Sequence, residues 1–249
     1  MNSPDTDSRN RLVAALSPAD RALLTPYFDA IALDARQILE TPHDPISHVY
    51  FVESGLVSVV GSTRQGQRIE VGMIGCEGMT GLGVVLGDGR SANETMVQAP
   101  GSAMRISSKA LRKVMRVSPS LTATVLRYAY VFMLQGSQTA LANGRGRLDE
   151  RLARWLLMWH DRVEGDNLTI THEFLALLLG VRRPGVTETL HMLESKSLIR
   201  TTRSQVRIRD REGLQLAANG FYGIPEAEYD RAIGSGRARG VHEAPRPAK

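Results

Sequence analysis

The stretch from Ile170 to Glu194 constrains this chain more than any other, because two amphipathic helical patterns meet there at a glycine with almost nothing between them. In the first, Thr171 is a good N-cap, and Phe174, Leu175, Leu178 and Leu179 recur on one helical face. Gly180 stands where that helix must end and where left-handed backbone is often needed, and Val181 offers an apolar plug between the helices. A second helix follows at once. Pro184 suits its first turn, where a missing N–H costs nothing, and Val186, Leu190 and Leu193 supply its buried stripe. The opposite face carries Arg183, Thr187, Glu188 and His191.

Such a pair fits two descriptions: an ordinary helical hairpin, or a helix-turn-helix whose second helix enters the major groove of DNA. The next residues tip the balance. Residues 197–209 read as two short strands around a polar turn, with charge that is nearly all arginine. A basic hairpin straight after such a helix is a wing, able to lie on the phosphate backbone. The candidate DNA contacts are therefore Thr171, Arg182, Arg183, Gly185, Thr187, Glu188, His191 and, on the wing, Arg203. The segment from Arg145 to Arg211 holds thirteen Lys and Arg against nine Asp and Glu, so most of the chain's net charge of +5 lies around the motif.

These residues resemble a known family, the cAMP-receptor and fumarate-nitrate-regulator (Crp/Fnr) transcription factors, and the likeness runs over nearly the whole chain. It is carried by Arg151-Leu152-Ala153 opening the preceding helix, Ile170-Thr171, Gly180, Arg183, Val186, the run Met192-Leu193-Glu194, and Leu198-Ile199 entering the wing. The resemblance implies an α+β chain: an N-terminal β-roll like a cyclic-nucleotide-binding domain over residues 11–117, a dimerisation helix and hinge over 118–144, and a winged helix-turn-helix over 145–215. Residues 216–249 would then hold a short helix and a disordered tail. The implied partners are double-stranded DNA, a second copy of the chain, RNA polymerase and an unidentified small effector. Two positions depart from the family pattern. Pro184 stands where the family often has glutamate, and Glu188 where the cAMP receptor has arginine, so a different half-site is expected.

The N-terminal half fits that frame. Residues 11–28 read as one or two short helices, and short β-rich runs follow at 31–40, 49–53, 56–63, 67–74, 93–99 and 103–107, separated by glycines. Many short strands with glycine corners suggest a closed roll. Within it, the family's phosphate-binding cassette is half visible. Arg90-Ser91-Ala92 matches its second part, but Gly81-Leu82-Gly83 occupies the first, with Leu82 where the cyclic-nucleotide binders place the glutamate that holds the ribose. Arg90 reads equally as a phosphate ligand or a surface arginine. Gly81, Leu82, Arg90, Ser91 and Ala92 are the effector-pocket candidates, joined by Ser137, which with Gly136 aligns to a Thr-Ser pair near the base in the cAMP receptor. Dependence on cAMP is not expected.

From Ser118-Pro119 to about Ala142 the sequence predicts one long helix with two apolar stripes, the second formed by Leu126, Tyr130, Met133, Ser137 and Ala140. Such a helix is covered on both sides, either inside one subunit or between two. The resemblance selects the second, making these five the dimer interface, and Asn143 to Gly146 the hinge.

Other classes fit less well. The single Cys76 excludes an internal disulfide framework and a CxxC redox pair, no apolar run approaches a membrane span, and a cytoplasmic protein is expected. A jelly-roll metalloenzyme needs histidines clustered across strands, but His43 and His48 stand near a turn and the other four lie in the helical half or tail. No nucleophile elbow, phosphate loop or HExxH is present, so no enzyme, metal or cofactor is expected. A nucleotide-binding module that grips another protein stays open as the alternative, although it has no need of a motif and wing.

Overall fold

The computed structural model describes residues 8–234. The expected tail beyond Gly234 falls outside the described residues. Helices α1 (Arg11–Ala14) and α2 (Pro18–Leu24) begin the described chain. Asn10 caps α1, its side chain accepting from Val13 N–H, while its amide donates to the carbonyls of Val52 and Gly78 at 2.8 and 2.7 Å. Those bonds fix the first helix to the sheet it covers.

That sheet is formed by β1 (Asp29–Leu33), β2 (Ile38–Glu40), β3 (His48–Ser62), β4 (Arg68–Ile74) and β5 (Glu94–Ser107). Its order is β1-β5-β3-β4 with β2 also on β5, and every pairing is antiparallel. Four of the expected runs prove to be halves of two long, bent strands. Gly55, with φ of +84°, and Gly101 bend β3 and β5 at the same height, and the ladder shifts register there instead of reversing. A Cβ on Gly55 would lie 2.6 Å from the Ala99 carbonyl oxygen, and one on Gly101 only 2.1 Å from that of Ser54, so close backbone approach is what both glycines permit.

Between β4 and β5 a short helix, α3 (Leu82–Val85), follows left-handed Gly81. After β5 come α4 (Ser108–Val117) and α5 (Pro119–Arg145). Ser118 caps α5 through Leu121 N–H and Pro119 occupies its first turn, as the sequence predicts. Its inner face buries Leu121, Val125, Tyr128 and Val131, and the Gln135 amide makes two bonds to the backbone of Met73, 2.7 and 3.1 Å long. The helix does not stop at Asn143: it continues through Gly144 to Arg145, spanning about 40 Å at 1.5 Å per residue. The break falls at Gly146, where a Cβ would meet the Ala142 carbonyl oxygen at 2.7 Å.

The second domain comprises α6 (Leu148–His160), β6 (Asn167–Thr169), α7 (His172–Leu179), α8 (Arg183–Ser195), β7 (Ile199–Thr202), β8 (Gln205–Ile208) and α9 (Arg211–Ala217). The wing is a three-stranded sheet ordered β6-β8-β7, one strand more than the sequence reading. Trp155 and Trp159 are core residues, packed edge to face at 5.0 Å. This core is continuous with the roll, since Leu56, Val60 and Met73 belong to the same buried cluster. Polar bonds cross the same boundary. Trp155 Nε1 donates to Glu70 at 2.8 Å, and Arg162 pairs with Glu77 at 2.7 Å. A last helix, α10 (Ile224–Ala232), returns to α5 and the N-terminal helix, with the Tyr229 hydroxyl donating to the Glu77 carbonyl and Arg11 paired with Asp230 at 3.0 Å.

Candidate functional site

Thr171 caps α7 by accepting from Phe174 N–H, and Gly180 ends it at φ +63°, ψ +38°, a left-handed cap that glycine adopts without steric cost. A Cβ on Gly180 would also lie 2.9 Å from Ile69, so the turn of the motif is pressed against β4. Helix α8 then buries Val186, Thr189, Leu190 and Leu193. Arg182, Arg183, Pro184, Glu188 and His191 are exposed, while Gly185 and Thr187 are half-buried. The fold therefore brings seven of the eight DNA-contact candidates to the two ends and outer face of one helix pair, and puts Arg203 in the exposed β7–β8 turn beside Ser204, whose φ is +58°.

Two residues that the sequence reading missed fix this surface. His172 Nδ1 lies 2.9 Å from the Thr187 hydroxyl, which itself donates to the Arg183 carbonyl, so α7 and α8 are locked together at the face they present. Burial, then the nearby charges of Arg183 and His191, hold the His172 pKa below its ordinary value. Glu194, quoted above only as part of a run, accepts from both the backbone N–H and the hydroxyl of Thr201 at 2.9 and 2.7 Å. These bonds tie the end of α8 to the wing and hold the Glu194 carboxylate below its usual range.

The arginines of this surface stand without ion-pair partners: among the described residues no ion pair engages Arg182, Arg183, Arg200, Arg203, Arg207 or Arg209. Arg200 and Arg207 even stand directly opposite each other in the β7–β8 ladder, a like-charge pair that weakens a hairpin by itself.

The cassette is arranged differently. Gly81 is buried at φ +76°, and its N–H donates to a carboxylate oxygen of Glu40 at 2.6 Å. Leu82 is half-buried and packs into the cluster around Phe51 and Met79. Arg90 is exposed, and its guanidinium donates to the His43 carbonyl at 2.6 Å. Around it the turn before β3 closes on the cassette, with His43 N–H bonded to the Ser91 carbonyl and Ile46 N–H to that of Gly89 at 2.7 and 2.8 Å. Ser91 is half-buried and Ala92 exposed. Ser137 is not brought to this group within the chain. It lies on the outer side of α5, its hydroxyl donating to the Met133 carbonyl, while Gly136 and Gln135 meet β4.

That outer side is apolar and uncovered. Leu126, Tyr130 and Met133 are 42, 52 and 62% exposed, Leu141 is 48% exposed, and Ser137 and Ala140 stand in line with them. Leu141 was absent from the expected stripe although it continues the same spacing. No helix of the described residues is long and apolar enough to cross a membrane, and none of their His, Cys, Asp and Glu side chains gather in threes that could hold a metal ion.

Two family models match the sequence, a cyclic nucleotide-binding domain over residues 31–118 and a Crp-like helix-turn-helix domain over residues 150–217, together more than half of the chain. No curated protein matches it. Solved structures share its fold. FixK2 from Bradyrhizobium japonicum superposes with a TM-score of 0.66 at 16% identity, covering 76% of this chain and 96% of its own. A CRP-family transcriptional regulator from Thermus thermophilus gives 0.63 at 20% identity, covering 76 and 97%. The c-di-GMP responsive global regulator CLP of Xanthomonas campestris gives 0.61 at 17% identity, covering 77 and 99%.

Proposed function

Because the chain belongs to the Crp/Fnr family of transcriptional regulators, we propose that it acts in the cytoplasm as a homodimer that binds a palindromic operator without requiring cAMP. The observation that carries this reading is the exposed outer face of α8, which starts at Arg182 and Arg183, neither with a carboxylate partner among the described residues, and is followed by a basic wing. Arg183 reads a base edge, Thr187, Glu188 and His191 flank it, and Thr171, Arg182, Gly185 and Arg203 meet phosphate and sugar. The uncovered stripe of Leu126, Tyr130, Met133, Ser137 and Ala140 pairs with its copy. Two recognition helices then face one side of the duplex about 34 Å apart, one helical turn. Its output is DNA binding and contact with RNA polymerase rather than turnover of a substrate.

Independence from cAMP rests on Leu82, which gives the ribose hydroxyl no acceptor, at a cost of about 1–3 kcal/mol for a buried unpaired group. Selection of bound sequences from a random pool, followed by affinity measurements with and without cAMP, cGMP and c-di-GMP, tests the proposal. The expected product is a palindrome bound equally well in every case. Asymmetric single sites, or micromolar cAMP binding coupled to tighter DNA binding, would overturn it.

A further inference from the structure

Taking the chain as the cAMP-independent regulator described above, we propose that α10 is a strap: it fixes the DNA-binding domain on the roll of its own subunit and so sets the recognition helix for the operator with no ligand in the roll. Neither matched domain contains this helix. The nucleotide-binding model ends at residue 118 and the helix-turn-helix model at residue 217, whereas α10 begins at Ile224.

The joint that this strap crosses is Gly146, where α5 ends and the second domain begins. Rotation there is opposed by contacts that run from one side to the other. Arg154 of α6, buried, donates through Nη2 to the Thr139 hydroxyl of α5 at 3.1 Å, and through Nε to the Phe221 carbonyl at 3.0 Å, on the segment that leads into α10. Glu77 of the roll is held twice. Its carboxylate pairs with Arg162, just past the end of α6, and its carbonyl accepts from the Tyr229 hydroxyl of α10 at 2.8 Å. Arg11 of α1 closes the far side, paired with Asp230 at 3.0 Å and lying over the Tyr229 ring, 4.6 Å from its centroid. Arg162 and Glu77 are both buried, so turning the second domain away would strand two charges out of water. Contacts of this kind fix an orientation as well as adding adhesion.

The strapped form leaves the working surfaces open. Arg182, Arg183, Glu188 and His191 are exposed at α8, and Leu126, Tyr130 and Met133 are exposed on α5. A contact that shuts the protein off would cover one of these two faces. Tyr229 of α10 instead joins the buried cluster of Tyr128 and Val131 on the inner face of α5. Holding the second domain in place before DNA arrives removes freedom that binding must otherwise take away, which is how a fixed orientation raises affinity. The chain supplies that restriction itself.

The test uses the full chain, with Tyr229→Phe to remove the hydroxyl while keeping the ring under Arg11, and Arg162→Met to unpair Glu77. Val97→Ala serves as control, because Val97 is fully buried in a cluster of the roll that contains no residue of α10 or of the second domain. Hydrogen exchange of residues 143–147 and 224–232, sedimentation, and affinity for the selected operator well below the unfolding temperature are measured for each. Both strap variants are expected to exchange faster in these two segments. They should lose operator affinity by about 5- to 150-fold, the usual size of a coupling between sites, with the dimer intact and nonspecific DNA binding unchanged. Val97→Ala should unfold at lower temperature and keep its operator affinity. Tyr229→Phe gives the answer should Arg162→Met fail to fold. The strap is refuted if α10 exchanges no faster in either variant, if faster exchange leaves operator affinity equal or raises it, or if Val97→Ala loses as much. A wild type that binds no palindrome, or that needs cAMP to bind one, overturns the reading of function first and the strap with it.

Discussion

Arg183 and Arg90 stand in the two regions where the chain resembles a sequence that grips phosphates or bases, and the fold uses them in opposite ways. On α8, Arg183 is exposed beside Arg182, neither has a carboxylate partner among the described residues, and the wing adds a facing pair of arginines in Arg200 and Arg207. At the cassette, Arg90 is bonded to the His43 carbonyl, and the Gly81 N–H donates to Glu40. The difference shows where an outside partner is needed. Unpaired cations in water cost little and draw in a polyanion, whereas Arg90 already has its partner within the chain.

The severest way to break this comparison is to separate the two copies. If α8 works in pairs through α5, Tyr130→Glu puts an unpaired charge into each side of the contact and should yield a monomer. Specific affinity should then fall by about a thousandfold or more, toward nonspecific binding. Sedimentation and a competition assay read the two effects together. An intact dimer would move the interface away from Leu126, Tyr130 and Met133.

The joint between the two regions gives the next effect. Glu70 of β4 accepts from Ser58 at 2.6 Å and from Trp155 of the second domain at 2.8 Å, and burial raises its pKa to about 7 against an ordinary 4.5. A carboxyl raised in the folded state contributes stability that is fully present below about pH 4.5 and is lost as pH rises through about 7. The shift corresponds to about 3 kcal/mol. Glu70→Gln should remove that slope and, above pH 7, unfold at higher denaturant than wild type. Parallel pH profiles for the two proteins would exclude Glu70 as the titrating latch.

Base readout comes third. Arg183→Ala should keep the fold, because its side chain is exposed and the helix is held by Val186, Leu190 and Leu193. It should lose about 1–3 kcal/mol of discrimination at each half-site, the worth of one bidentate arginine–guanine contact. Equal affinity of variant and wild type for the selected palindrome would remove Arg183 from the contact list.

How much of this was legible in the sequence follows the range of the interactions. The helix pair and the start of the long helix were readable almost to the residue, since the caps Thr171 and Ser118, left-handed Gly180 and the stripe of Val186, Leu190 and Leu193 are local signals. The roll was recognisable, but β3 and β5 were cut at Gly55 and Gly101, because only pairing between strands tells a bend from a reversal. Asn143-Gly144 read as a break, yet the helix continues through both to Arg145. Glu40 was missed for a related reason. It reaches Gly81 across 41 positions, and on its strand the exposed Ile38 and buried Glu40 invert the alternation that sequence patterns rely on. The return of α10 to α5 is likewise nonlocal, with nothing in residues 224–232 naming Glu77 or Arg11 as partners.

The smallest expected effect sharpens the comparison most, because it applies the same substitution to the other arginine. Arg90→Ala removes an exposed guanidinium whose one bond in the structure runs to a backbone carbonyl on a surface turn. The backbone bonds of His43 to Ser91 and Ile46 to Gly89 stay, and so does Glu40 on Gly81. A single exposed hydrogen bond contributes about 0.5–1.5 kcal/mol at most, so unfolding should shift slightly and operator affinity should stay within about twofold of wild type. A cassette that serves an external phosphate behaves otherwise: losing its arginine removes a charge-assisted contact and with it the ligand's control of DNA binding. Operator affinities of Arg90→Ala and Arg183→Ala, measured side by side on the same palindrome, therefore separate the two designs. A drop in the Arg90 variant as deep as in the Arg183 variant would mean that the cassette, too, works by gripping something from outside the chain.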